Sequence, residues 1–121
     1  MLLYSYFNEA EQIDYCLYES SNVLASKCLD LKASYKELYV VFKNGAMYWY
    51  HELSVNDYVM FKHELSNGKA LNTYIKKYKC EKVENPDISF VKKLHSKMEK
   101  EQKKVGQPLE EPTITKNEED S

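Results

Sequence analysis

Three tyrosines around an Asn-Gly turn carry the clearest chemical signal in this sequence. Tyr39 precedes Asn44-Gly45, and Tyr48 and Tyr50 follow it. If the turn joins two antiparallel strands through a loop of only those two residues, the three tyrosines share one face of the sheet. Single-stranded bases stack on such surfaces, with about 1–3 kcal/mol per base. The pattern predicts a nucleic-acid platform, and a tyrosine-rich face packed under a helix is the open alternative.

Lysines that follow the hairpin could track a phosphate backbone. Those predicted to do so are Lys69, Lys76 and Lys77, with Lys79 and Lys82 beyond them. All 17 basic residues are lysine, so the chain has no guanidinium fork for phosphates or guanine edges. Contacts would depend on lysine point charges and would weaken as salt is added. The alternative is the solvated face of an amphipathic helix.

No residue pattern indicates catalysis, a metal or a cofactor. The histidines and cysteines are far apart in sequence: His51, His63, His95, Cys16, Cys28 and Cys80. They lack the spacing of a metal site or a catalytic triad, and the glycines form no phosphate loop. We therefore expect a non-enzymatic protein. An odd cysteine count and an N-terminus without a basic region or a long apolar run indicate a reduced, cytoplasmic setting without a membrane segment.

Alternating apolar residues predict the strands that position these side chains. The hairpin strands are expected at 37–42 and 46–53, and a further strand at 22–32. With a two-residue loop, one hairpin face carries Leu38, Val40, Phe42, Met47 and Trp49, and the other carries Tyr39, Val41, Tyr48 and Tyr50. A bulged turn would shift this pairing by one residue. The runs at 2–7 and 13–18 fit either strands or one helix.

Helix signals follow the hairpin. Ser54 with Asp57 three residues later is typical of a helix N-terminus, and this helix should end near Asn67-Gly68. A second helix is predicted at 69–78 and a third from Asn85-Pro86 onward. The third should be ordered to Met98 and fray beyond it.

These elements predict an α+β fold. We expect a small antiparallel sheet of three to five strands around the central hairpin, two short helices on the face bearing Leu38 and Trp49, and an additional C-terminal helix. Residues 1–20 form an N-terminal extension, 21–80 the main domain and 81–104 the C-terminal helix. Residues 105–121, acidic and containing two prolines, should be disordered.

The third helix offers a different function. Its apolar stripe consists of Phe90, Val91, Leu94 and Met98. The stripe could dock on the hairpin domain or on another protein. The acidic end of the chain would repel nucleic acid and could engage a basic partner.

A series of short motifs links the middle of the chain to a known family. The motifs are Ser21-Asn22-Val23, Leu38-x-Val40-x-Phe42-x-x-Gly45, Tyr48-x-Tyr50, Ser66-x-Gly68 and Asn72-x-x-Ile75-x-x-Tyr78. In this order they resemble the KTSC domain, which is named after the C-terminal domain of some lysyl-tRNA synthetases and also occurs alone in small bacterial and phage proteins. The resemblance covers about residues 20–80. One departure is His51-Glu52-Leu53-Ser54, where a valine and a proline would be expected.

The resemblance implies no catalytic residue, and for the family RNA binding is only a suggestion. We therefore expect a small binding module that takes single-stranded RNA on its aromatic face. The alternative is a protein-interaction factor, such as a phage-type or regulatory protein that docks on a host or partner enzyme.

Overall fold

A six-stranded antiparallel sheet organises the chain. The computed structural model describes residues 1–30 and 34–106. The strands lie in sequence order across the sheet: β1 (Leu2–Asn8), β2 (Ile13–Tyr18), β3 (Val23–Asp30), β4 (Tyr35–Phe42), β5 (Met47–Ser54) and β6 (Cys80–Lys82). The two N-terminal runs are thus strands rather than a helix, and the sheet is larger than the three to five strands expected. The predicted α+β class is confirmed.

The hairpin closes through a bulged turn. Gly45 has a positive φ of 92°, its amide donates to the Phe42 carbonyl at 2.9 Å, and the Phe42 amide donates to the Ala46 carbonyl at 2.8 Å. The loop therefore contains three residues, 43–45, and the left-handed glycine forms the bulge. As a result Leu38 faces Tyr50 and Tyr39 faces Trp49.

This register changes which side chains share a face. Tyr48 and Tyr50 lie on the face of Leu38, whereas Met47 and Trp49 lie on the face of Tyr39. The predicted assignment of β5 is wrong, because one extra loop residue moves every side chain of the second strand to the other face. A similar irregularity in β3, between Val23 and Ala25, places these two residues on opposite faces of the sheet.

Two helices and a π-helical segment cover the first face. They are α1 (Val55–His63), α2 (Asn67–Ala70) and the π-helical segment Leu71–Ile75. Leu38, Val40, Phe61 and Ile75 are fully buried between helices and sheet. Burial of such side chains contributes about 1.5–3 kcal/mol each.

The predicted start of the first helix in this layer is confirmed, but its predicted end is not. The Ser54 side chain accepts from the Asp57 amide at 3.1 Å, as predicted. The first helix ends at His63 rather than near Asn67. Asn67 instead begins α2; its fully buried side chain donates to the Phe61 carbonyl at 2.9 Å and so joins the two helices.

A long helix, α3 (Ser89–Gly106), lies on the opposite face of the sheet. It packs on β1 and β2 and buries Val91 and Leu94 against Leu17 and its neighbours. It begins at Ser89, whose amide donates to the Asp87 carboxylate at 3.0 Å, rather than at Pro86. The helix continues through the charged run beyond Met98, where fraying had been predicted. The predicted disordered tail falls, from residue 107 onward, outside the described residues.

Candidate nucleic-acid interface

A cleft of about 760 Å³ opens between the hairpin turn, β6 and the end of the π-helical segment. The side chains suited to ligand contact in its lining are Phe42, Lys43, Tyr48, Tyr50, Lys76 and Lys82. They come from three places in the chain: the hairpin, the residue after the π-helical segment and the edge strand. The bulged turn determines which aromatic residues line the cleft, because it directs Tyr48 and Tyr50 to this side of the sheet.

The aromatic wall of the cleft is partly anchored in the core. Phe42 and Tyr48 are half-buried and meet edge to face, with ring centroids 5.8 Å apart. Tyr50 is only 4% exposed, and burial, followed by the charges that Cys80 and Tyr48 would carry when ionised, raises its pKa to about 12. Tyr50 is therefore a neutral hydroxyl at physiological pH, and Tyr48 is the tyrosine with surface left for stacking.

The three lysines of the cleft, unlike Lys62 and Lys77, form no ion pair within the described structure. Lys43, Lys76 and Lys82 are exposed, no carboxylate lines the cleft, and none of the three forms an ion pair with any residue that the structure describes. By contrast, Lys62 lies 2.8 Å from Asp14. Unpaired cations around a concave apolar surface give it a positive potential that attracts anions.

The structure brings together only some of the predicted nucleic-acid residues. Tyr48, Tyr50 and Lys76 meet in the cleft, and Lys82 joins them. The prediction that all three tyrosines share one face is wrong, because Tyr39 lies on the other side of the sheet.

The three remaining predicted lysines, Lys69, Lys77 and Lys79, do not line the cleft. Lys69 is exposed on α2 outside the cleft lining. The Lys77 ammonium lies 3.0 Å from the Asp57 carboxylate. The hydroxyl of Tyr78, together with Lys77, lowers the pKa of Asp57, so this lysine already has an anionic partner.

Tyr39 belongs to a second aromatic group on the opposite face. Its ring stacks on Trp49, with centroids 5.3 Å apart and planes 13° apart, and the Lys27 ammonium lies 5.0 Å above it. The Trp49 indole donates to Glu37 at 2.7 Å. Burial opposes ionisation of Glu37, but donors from the Glu52 amide, His51 and Trp49 outweigh it and lower the pKa of this carboxylate. The polar groups here are used within the protein.

The stripe of the third helix is also used within the protein. Val91 is 8% and Leu94 is 3% exposed, and Phe90 lies against the Tyr15 ring at 5.6 Å. Met98 packs beside them. Of the two alternatives for the stripe, docking on its own sheet is the one that the structure contains.

Sequence reasoning missed several residues of the cleft. Phe42 had been predicted in the core, and Lys43, Asn22 and Cys80 had been assigned to no site, yet all four line it. A bulged hairpin turn was the one signal that could have directed attention to this side, since it alone places Tyr48 beside Phe42.

Two further features of the described residues concern metal ions and membranes. Within residues 1–30 and 34–106, no group of three or more histidine, cysteine, aspartate or glutamate side chains could hold a metal ion. Among the described helices, none has the length and apolar character needed to cross a membrane.

Comparison with known proteins gives a match to one protein-family model. The family model described as KTSC domain matches residues 18–78, about half of the chain. The matched region includes the aromatic wall of the cleft and Lys76; β1, β6 with Lys82, and α3 lie outside it. No curated protein matches the chain.

Proposed function

This chain belongs to the KTSC domain family, and we propose that it is a non-enzymatic, cytoplasmic binding module whose cleft takes single-stranded RNA. One observation carries the proposal: Phe42 and Tyr48 form an aromatic wall beside three lysines that lack acidic partners. Family membership itself does not indicate a ligand. The support comes from the chemistry of the cleft, which combines the two groups that single strands require.

A single strand fits this chemistry better than a duplex. An unstacked base can place its flat face on Tyr48, whereas the bases of a helix are already stacked on each other. The phosphates on either side of that base would then lie near Lys43, Lys76 and Lys82, which line the same cleft. Lysines act here as point charges, so we expect binding with little sequence preference and strong salt dependence.

A titration of fluorescently labelled, mixed-sequence single-stranded RNA, followed by anisotropy at low and moderate salt, tests the proposal. Affinity should fall as salt rises. The adjacent pair Lys76→Ala and Lys77→Ala gives a matched control, because only Lys76 lines the cleft and Lys77 is paired with Asp57. Lys76→Ala should weaken binding and reduce the slope of log K against log salt by about 1. Lys77→Ala should change neither, and no binding at low salt would remove the proposal.

Docking of another protein on the stripe of α3 remains the alternative, and we favour it less. A partner could reach Val91 and Leu94 only if α3 left the sheet, which would expose the apolar surface that it covers. Affinity purification of the full-length chain from a nuclease-treated extract separates the two functions. Protein partners that persist without nucleic acid would favour the alternative, and partners lost with the nucleic acid would favour RNA.

A further inference from the structure

The two edges of the sheet are built differently. The β6 edge is short, at three residues, and two of them are the charged Glu81 and Lys82. The β1 edge has seven residues, Leu2–Asn8, with no charged residue and no proline. Edge strands usually carry charges, prolines, β-bulges or short lengths that prevent pairing with another chain. β1 has one irregularity, between Leu2 and Tyr4, and pairs regularly with β2 from Tyr4 to Asn8. In the described part of the chain no strand pairs with the outer side of β1, so its outward backbone groups are available.

Apolar side chains accompany this open edge. Leu3 is 43% and Phe7 is 45% exposed. Phe7 lies on the α1 side of the sheet with Ser5, which contacts Asp14, and Asp14 receives Lys62 of α1. Leu3 lies at the irregularity between Leu2 and Tyr4. The same flank of α1 exposes two valines, Val55 and Val59.

We propose that β1 pairs antiparallel with β1 of a second copy of this chain, so that one sheet continues through both molecules. Ser5 is the central residue of the strand, and a twofold axis at Ser5 gives a self-complementary register. In this register Leu3 of each copy faces Phe7 of the other. The exposed apolar side chains then cover each other as directly opposed cross-strand pairs.

Charges on the other face of the sheet favour a second copy over an unrelated strand. The Tyr4 hydroxyl donates to Glu101 of α3, and the Lys97 ammonium lies 4.2 Å above the Tyr6 ring. The same axis places Tyr4 opposite Tyr6 of the second copy. Glu101 of each molecule is thereby brought beside Lys97 of the other, twice in the dimer. An unrelated strand would supply these two charge contacts only if it happened to carry matching residues.

The pairing leaves the cleft free. The cleft is formed by the hairpin and β6, at the edge of the sheet opposite β1. A dimer would therefore present two clefts, and linked sites on one strand raise the apparent affinity. The interface consists of one strand and a narrow apolar flank, so the dimer should form and dissociate with protein concentration.

Sedimentation equilibrium of the full-length protein over a series of concentrations tests the proposal through designed charge pairs. In Leu3→Lys/Phe7→Lys, lysine faces lysine across the axis, and in Leu3→Glu/Phe7→Glu glutamate faces glutamate. Each double variant alone should associate more than about tenfold more weakly than the natural chain. An equal mixture of the two should recover the dimer, because lysine then faces glutamate at both positions. Circular dichroism should show that both variants remain folded, since the substituted side chains are substantially exposed.

Three results would overturn the proposal. One is a natural chain that stays monomeric at the highest concentration. Another is a dimer that neither double variant weakens, which would place the interface elsewhere. The third is a mixture that remains monomeric although the natural chain dimerises, which would show that Leu3 does not face Phe7.

Discussion

The two faces of the β4–β5 hairpin have similar aromatic content but differ in how their charges are partnered. On the cleft side, Phe42 and Tyr48 are surrounded by lysines that have no acidic partner in the described structure. On the opposite side, Tyr39 and Trp49 are combined with a carboxylate that accepts three hydrogen bonds. Aromatic residues alone therefore do not identify a binding face. Under the proposed function, the lysines without a carboxylate partner distinguish the cleft side, because their charge remains available to a ligand.

On the face of Tyr39 and Trp49, the charged groups are partnered within the protein and stabilise the fold. His51 lies between Glu37, at 3.0 Å, and Glu81, at 2.8 Å. It links the hairpin to β6, and β6 in turn carries Lys82 to the cleft.

The largest expected effect comes from a charge placed in the core beneath the cleft face. Leu38→Asp should unfold the domain, because Leu38 is fully buried and an unpaired carboxylate there costs several kcal/mol, on the order of the whole stability of a small domain. Lys43→Asp, at the exposed rim, should keep the native far-UV circular dichroism and melting temperature. A natively stable Leu38→Asp protein would show that this side of the hairpin is not the covered one.

Loss of the carboxylate on the opposite face should be the next largest effect. Glu37→Gln removes the charge that accepts from the Trp49 indole, the Glu52 amide and His51, and should lower the free energy of unfolding at neutral pH by about 1–3 kcal/mol. RNA affinity should stay unchanged. Urea denaturation and the anisotropy titration measure the two quantities, and a variant with normal stability and weakened binding would reverse the roles of the two faces.

The same carboxylate predicts a pH dependence. The pKa of Glu37 is lowered from its ordinary value of 4.5, so its stabilising contribution is fully present above that pH and is lost as the pH falls through the lower folded-state value. Asp57, lowered from 3.8, acts in the same direction. The stability difference between natural chain and Glu37→Gln, measured by urea denaturation at successive pH values, should shrink in acid. A difference that does not change down to the acid transition would contradict this.

A smaller effect is expected at the edge of the cleft. Lys82→Ala removes one unpaired cation and should weaken RNA binding modestly, with a decrease of about 1 in the salt slope. Glu81→Ala on the same strand is the matched control, because Glu81 points to the other face and contacts His51. Anisotropy at two salt concentrations distinguishes them. An equal loss in both variants would mean that β6 is merely loosened.

Local signals in the sequence predict much of the fold but not the register on which the site depends. Ser54 as a helix cap and Asn44-Gly45 as a hairpin turn are correct because each depends on nearby backbone chemistry. The length of the hairpin loop could not be predicted from the sequence, because the strand Leu38–Phe42 is apolar on both faces. A two-residue and a three-residue loop would therefore both bury apolar groups. One residue in the loop therefore decided whether Tyr48 joined Tyr39 or Phe42.

The N-terminal strands and the cleft position of Lys43 could not be predicted either, because both depend on contacts between distant parts of the chain. The runs at 2–7 and 13–18 are too short for their periodicity to separate strand from helix, and only pairing with β3 fixes them. Lys43 sits in a turn, where a lysine normally indicates only solvent exposure. Its position beside Lys76 and Lys82 depends on contacts between distant parts of the chain.

Binding of mixed-sequence single-stranded RNA to Tyr48→Ala and Tyr39→Ala, side by side at low salt, tests the central claim most directly. Both tyrosines are half-buried strand residues, and they lie on opposite faces of the sheet. Circular dichroism can confirm that the two variants are folded to the same extent. Tyr48→Ala should lose about 1–3 kcal/mol of binding free energy, and Tyr39→Ala should bind like the natural chain. Equal affinities for the two variants, or a loss confined to Tyr39→Ala, would contradict the assignment of the cleft as the RNA-binding face.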